Sequence, residues 1–341
     1  MLEKLSNAFG VSGADCEVKN IILEEIKKHA DKIEILKDGN IIVFKKGRKT
    51  PEYKVALYAH TDEVGYIVKD ITDDGYIKFE TVGGIDERIM LSSRVFIGEN
   101  KIPGIIGIKA IHMTDKEERE KIVKDTNMYI DIGADSKEEA LKYVEKGDYI
   151  AFDSKFEKLG GHRVKGKAFD NRVGVAILIE LLKEEAEYDY YVSFNSFEEI
   201  GLKGAMTASY HIKPDVALIL EGTTCSDVLG TEKHLTPTTL GGGVALSVND
   251  RGSCSSRELN EFIIKLAEEN NISLQIKRTN MGGNDAGAVQ VSGYGVKTAA
   301  LSVPVRYIHS PVSVMDLRDF ESSLNLVKCF VNSLGGFKND Q

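Results

Sequence analysis

From residue 165 onward, short apolar runs alternate with helix-patterned stretches, and this restricts the fold more than any other feature of the chain. The spacing predicts helices over 172–185, 202–211, 255–270 and 315–334. Strands are predicted over 190–197, 215–220, 244–248, 273–278 and 298–303. Strands that alternate with helices belong to α/β architectures built on a parallel or mixed sheet.

The first 66 residues read similarly. A helix is expected over 15–30, with Ser12 and Asp15 in capping-box spacing, then a hairpin over 33–44 turning at Asp38-Gly39. A compact apolar strand over 54–59 runs straight into His60. Between them, 66–164 has another texture: short strand-like pieces broken by Asp74-Gly75, Gly83-Gly84 and Pro103-Gly104. It holds one helix over 136–146, capped by Ser136 and Glu139 and stopped at Gly147. The expected organisation is therefore an α/β unit from 1–66 and 165–341, interrupted by a β-rich insertion from 67–164.

Charge removes several functions. Lys and Arg number 44 against 53 Asp and Glu, a formal −9, so the chain lacks the basic footprint that nucleic acid or an anionic membrane needs. Cys16, Cys225, Cys254 and Cys329 form no CxxC pair, which speaks for reduced thiols and a cytoplasmic protein rather than a disulfide framework. No apolar run reaches the roughly 18 residues of a membrane helix, and the N-terminus has no leader pattern.

Several motifs fail on inspection. Gly161-x4-Gly166-Lys167 approaches a phosphate loop, but Ala168 stands where a magnesium-binding hydroxyl is required. There is no GxGxxG after a strand, no HExxH and no GxSxG.

Metal-competent residues remain, and they sit at strand ends. His60 and Asp62 lie in AHTDEVG, Asp170 in KAFDNRVG, and Glu198 and Glu199 in SFEEIGLKGA. Glu221 ends DVALIL and His309 lies in RYIHSP. Each has an ordinary alternative: a hydrogen-bonded loop histidine, an N-cap at Asp170, an exposed turn at Glu198-Glu199, a solvated strand end at Glu221. Ligands in open α/β sheets bind at the carboxyl ends of strands, where these residues would converge. Imidazoles mixed with carboxylates suit zinc or cobalt, and a carboxylate can bridge two cations roughly 3.5 to 4 Å apart.

These segments, with LEKLSNAFGVSG, GIIGIKAIHM, YIDIGADSKEEA, MGGNDAGAVQ and RYIHSPVSV, closely resemble metallopeptidase family forty-two, the glutamyl-type and tetrahedral aminopeptidases. The resemblance covers nearly the whole chain. It implies a mixed-sheet α/β catalytic domain of the co-catalytic dizinc exopeptidase type, interrupted by a β-barrel-like dimerisation domain. It further implies a metal-dependent aminopeptidase acting on short peptides with two divalent cations, zinc or cobalt or else manganese. Assemblies would run from dimers to a twelve-subunit tetrahedron. By motif position, His60, Asp170 and Glu221 correspond to the ligands of one metal, and Asp170, Glu199 and His309 to those of the other. Glu198 corresponds to the general base, and Asp62 to the carboxylate that orients His60. Asp285 and Gly283 correspond to a substrate-pocket loop, although Asp285 equally suits an N-cap. The family usually carries Asp where this chain has Glu221, and the extra methylene changes the reach of that ligand. The competing functions are a glycoside hydrolase, for which two carboxylates suffice without metal, and a non-catalytic peptide-binding or assembly protein.

Overall fold

The computed structural model describes residues 1–278 and 282–339. Met281, the first residue of MGGNDAGAVQ, lies outside the described residues.

The chain starts with α1 (Leu2–Asn7) and α2 (Cys16–Ile26), the hairpin β1 (Lys32–Ile35) and β2 (Ile41–Lys45), and β3 (Val55–His60). Six short strands follow: β4 (Gly65–Ile71), β5 (Ile77–Val82), β6 (Arg94–Ile97), β7 (Ile102–Gly107), β8 (Tyr129–Asp131) and β9 (Tyr149–Phe152). The single-turn helices α3 (Lys116–Arg119) and α4 (Lys137–Ala140) lie among them. These strands close a barrel in the order β4-β5-β8-β7-β6-β9, which leaves no free edge. It has its own apolar interior, where Tyr66 packs edge-on against Phe79 and Phe152 at 4.9 and 5.5 Å.

The remainder comprises β10 (Glu157–Leu159), β11 (Arg163–Gly166), α5 (Phe169–Leu182), β12 (Tyr190–Asn195), α6 (Lys203–Ile212), β13 (Val216–Thr224) and β14 (Val244–Ser247). Then come α7 (Arg257–Glu269), β15 (Leu274–Ile276), α8 (Ala286–Gln290), β16 (Lys297–Arg306), β17 (Ser313–Asp316) and α9 (Leu317–Asn332). Eleven strands of these regions form one mixed sheet, ordered β1-β2-β12-β3-β13-β16-β17-β11-β10, with β14 joining β16 and carrying β15. Its centre, β12-β3-β13-β16, is parallel, so four carboxyl ends open on one edge.

Side-chain alternation along these strands sets the layers. Leu57, Ala59, Leu218 and Leu220 face a core shared with α5 and α9, whereas Ala56, Tyr58, Ala217 and Ile219 face α6 and α8. Helix α5 is apolar almost all round, as FDNRVGVAILIELL reads, and a helix of that kind must be enclosed. Its last eleven residues are all buried apart from Glu180.

Several boundaries differ from the sequence expectation, each for a local reason. Strands β10 and β11, expected with the insertion, pair in the large sheet instead. Asp15 makes no side-chain cap on α2; its carboxylate is bonded to Thr61, Ser196 and Lys19. The expected helix over 136–146 is regular only over Lys137–Ala140. Strand β13 runs on to Thr224, which places Glu221 within a strand rather than past its end.

Candidate metal centre

Two strands bring the first pair of candidate ligands together. His60 continues the Ala56 and Tyr58 side of β3, and Glu221 continues the Ala217 and Ile219 side of β13. Because Ile219 pairs with Tyr58, the two side chains emerge next to each other, with His60 Nε2 lying 3.5 Å from Glu221 Oε2. The longer Glu221 side chain therefore reaches the cluster. Asn171, following Asp170, donates to Glu221 Oε2 at 2.8 Å and to the Leu220 carbonyl at 2.6 Å.

Asp170 lies at the start of α5 with extended rather than helical dihedrals. Its two carboxylate oxygens point to different histidines: Oδ1 is 3.3 Å from His60 Nε2, and Oδ2 is 3.4 Å from His309 Nε2. Glu199 Oε1 is 3.5 Å from His309 Nε2 and Glu198 Oε2 is 3.9 Å from His60 Nε2. Among the described residues, three groups of side chains can each present ligand atoms within 4.8 Å of one another: His60 with Asp170 and Glu221, Asp170 with Glu199 and His309, and His60 with Glu198 and Glu199.

Asp62 does more than face His60. Its carboxylate accepts the backbone N–H groups of Glu198 and Glu199 at 3.1 and 3.2 Å, which fixes the turn after β12. The nearest oxygen to His60 Nδ1 is the Asp62 backbone carbonyl at 3.1 Å, with the carboxylate at 3.6 Å. Asp285 is wholly buried at the N-cap position of α8 without capping it through its side chain. Its Oδ2 accepts from Asn195 Nδ2 at 2.8 Å, so it braces the end of β12. A cavity of about 510 Å³ opens over the carboxylates; Gly283 and Asn284 line it, and Asp285 does not.

The arrangement fits cations for a reason that follows from hydrogen-bond roles. A carbonyl oxygen only accepts, so His60 Nδ1, beside the Asp62 carbonyl, and His309 Nδ1, 3.0 Å from the Gly84 carbonyl, must both carry the proton. In each neutral ring Nε2 is then an acceptor, yet both face carboxylate oxygens, which are also acceptors. A cation between them resolves the conflict, and backbone carbonyls that orient ligating imidazoles are common around metals. Glu199 Oε1 and Glu221 Oε1 are buried with no hydrogen-bond partner, which is costly unless something positive engages them.

Electrostatics agree. Burial, opposed by His309 and reinforced by Asp170, pushes Glu199 up to about 7. Burial likewise pushes Glu221 up to about 8 and Glu198 well above the usual carboxylate range. Burial opposes charge on His60 and His309, but the surrounding carboxylates prevail and hold both high, His309 at about 9. Protein alone keeps this cluster together only by retaining protons that a cation would displace.

Behind the centre, Arg172 is completely buried. It donates to the carbonyls of Leu5, Gly10 and Thr61 at 2.8, 3.2 and 2.9 Å and to Glu63 at 3.1 Å. Lys167 Nζ donates to Glu63 and to the Ala8 carbonyl, each at 2.6 Å. Lys167 is thus enclosed, consistent with the failed phosphate-loop pattern. Arg172→Met is expected to lower unfolding free energy by about 3–5 kcal/mol, because it removes four buried hydrogen bonds and leaves the buried Glu63 carboxylate to Lys167. Urea unfolding of the chelated protein checks this; a loss below about 1 kcal/mol, the scale of a single net hydrogen bond, would show the network to be redundant.

A profile of the M42 glutamyl aminopeptidase family matches residues 39–326. The chain belongs to the M42 glutamyl aminopeptidase family. It is thereby a peptidase of the aminopeptidase type. Among M42 relatives, the lysyl aminopeptidase of Pyrococcus furiosus is 30% identical over 98% of this chain and 96% of its own. The TET aminopeptidase of a marine-sediment Thaumarchaeota archaeon is 36% identical and superimposes with a TM-score of 0.94, covering 99% of this chain and 98% of its own. The TET1 peptidase of Pyrococcus horikoshii, which can assemble into a tetrahedron or a large octahedral shell, is 34% identical with a TM-score of 0.86 over 97% and 98%. The superposition with the Thaumarchaeota enzyme, over 99% of this chain, takes in both the large sheet and the closed barrel.

Sequence reasoning missed Asn171, although it stands inside the KAFDNRVG motif. It also missed Gly84, which acts through a backbone carbonyl and so leaves no mark in residue type, and Lys277, a lining residue of the cavity.

Proposed function

We propose that this chain is a two-cation aminopeptidase that releases N-terminal residues from short peptides. The observation that carries the reading is the split allegiance of Asp170, one oxygen toward His60 and the other toward His309. In this reading His60, Asp170 and Glu221 hold one divalent cation, and Asp170, Glu199 and His309 hold the other; zinc and cobalt suit the donor set best, with manganese next. When bound, the pair supplies an activated water and polarises the scissile carbonyl. Glu198 takes the proton of that water and delivers it to the departing amine, as its position at the cavity and its burial-raised proton affinity allow. Asp62 holds the Glu198 amide, and with it the base, in place. Gly283 contributes to the cavity wall that receives the substrate, and Asp285 stiffens that wall from behind.

Lys277 lies in the same wall. In this reading the large sheet and its helices, residues 1–64 and 157–341, form the catalytic unit in a cytoplasmic protein. The barrel insertion between them joins subunits into dimers, from which larger shells up to a dodecamer are built. The four cysteines, all free, suit a reducing compartment. No described helix is long and apolar enough to cross a membrane.

A panel of aminoacyl fluorogenic substrates tests the reading, run as purified, after chelation, and after addition of zinc, cobalt or manganese. Activity is expected to vanish on chelation and return with a divalent cation. Chelator-resistant cleavage of a β-glucan would instead establish a glycoside hydrolase. No hydrolysis with any added cation would leave a peptide-binding or assembly protein.

A further inference from the structure

We propose that Gly83, in the barrel loop after β5, is a positioning residue for the His309 half of the metal centre, so that the inserted barrel builds part of the catalytic site. This rests on the two-cation reading above. Among the described residues, the Gly83-Gly84 turn touches both ligands that serve only that half. The Gly84 carbonyl accepts from His309 Nδ1 at 3.0 Å, which leaves Nε2 free to face Asp170 and Glu199. Gly83 lies against Glu199 itself: a Cβ built on Gly83 would stand 3.4 Å from Glu199 Cβ and 2.8 Å from Val64 Cγ1.

Val64 is buried in the barrel core and precedes Gly65, which pairs with Val82 at the mouth of the β4-β5 ladder. The loop is therefore pinned from below by the barrel and meets Glu199 from above, with room for hydrogen only. Gly83 also has φ +80°, a region that side-chain-bearing residues enter only with strain. Any side chain at 83 lifts the turn from Val64 and withdraws the Gly84 carbonyl from His309. The ligands of the other half, His60 and Glu221, are set by β3, β13 and Asn171, and do not touch this loop.

The test is calorimetric titration of the chelated full-length protein with cobalt(II), with the visible cobalt spectrum as a second readout. The wild type is expected to take up two cations. Gly83→Ala should keep the first affinity and weaken the second by about 10- to 100-fold, the scale seen when a group that orients metal ligands is lost. Val64→Ile presses on the same contact without altering residue 83 and should shift the second affinity in the same direction; it decides the matter if Gly83→Ala does not fold. Gly133→Ala is the control: it has the same kind of backbone, φ +78°, but nothing within 4 Å of its added Cβ, so both affinities should match wild type. Wild-type binding of both cations by Gly83→Ala and Val64→Ile would overturn the inference while leaving the two-cation reading intact. Fewer than two cations in the wild type would overturn both.

Discussion

Replacing Glu198 with Gln is expected to reduce kcat by about 10²- to 10⁴-fold, the usual contribution of a general base, while cation content stays at the wild-type value. Gln keeps the size and shape of the side chain and cannot accept the proton of an activated water. Neither ligand set assigned above uses Glu198, so its loss should not empty the centre. The separation of activity from metal content makes the result informative, because Glu198 also belongs to a third group of side chains, with His60 and Glu199, capable of embracing one ion. If Glu198→Gln sheds a cation, Glu198 is a ligand and that third grouping is correct. If turnover stays near wild type with metal bound, the base is another group. Steady-state kinetics and elemental analysis on one preparation distinguish these outcomes. The neighbouring change Asp62→Asn should reproduce part of the defect, since the Glu198 and Glu199 N–H groups bond to separate Asp62 oxygens and an amide turns its NH₂ toward one of them.

The candidate ligands were readable in the sequence because strand–helix alternation carries a geometric consequence. If the strands are parallel, their carboxyl ends lie on one edge, and residues as far apart as His60 and His309 become neighbours without any local motif. The parity that puts His60 and Glu221 on one side of the sheet was also latent in KVALYAH and DVALILE, where buried residues alternate between two cores. What was not legible depends on backbone atoms or on very short elements. The Gly84 carbonyl is common to every residue type and meets a histidine 225 positions away. Strands β10, β11 and β17 have three or four residues each, too few for a period-2 pattern to stand out. Asp15 and Asp285 both carried helix-cap spacing, yet each spends its carboxylate on long-range contacts to the β3 and β12 ends. In both, tertiary demand at the sheet edge outweighed the local signal, which is characteristic of residues next to a functional site.

Asp170→Asn is expected to have the largest effect of all. Asp170 is the one side chain in both proposed ligand sets, and its contacts run through separate oxygens to the two histidines. The amide preserves volume, removes the negative charge, and can present only one oxygen, so whichever histidine faces the NH₂ loses its shared ligand. Affinity for at least one cation should fall by more than the 10- to 100-fold typical of groups that merely orient ligands, and hydrolysis should drop to the level of the chelated wild type. The fold should survive, because the Asp170 carboxylate is engaged by His60 and His309 rather than by the packed core. The two imidazoles hold its proton affinity well below the usual carboxylate range even against burial, so it is ionised and ready to bridge at neutral pH. That same depression means the ionised carboxylate supports the fold at neutral pH, so the chelated Asp170→Asn variant should unfold somewhat below the chelated wild type. A deficit that grows sharply once cations are present would mark Asp170 as a residue retained for the centre. Two tightly bound cations in Asp170→Asn would instead mean that Glu199 carries the bridge, between the grouping with His60 and Glu198 and the grouping with His309.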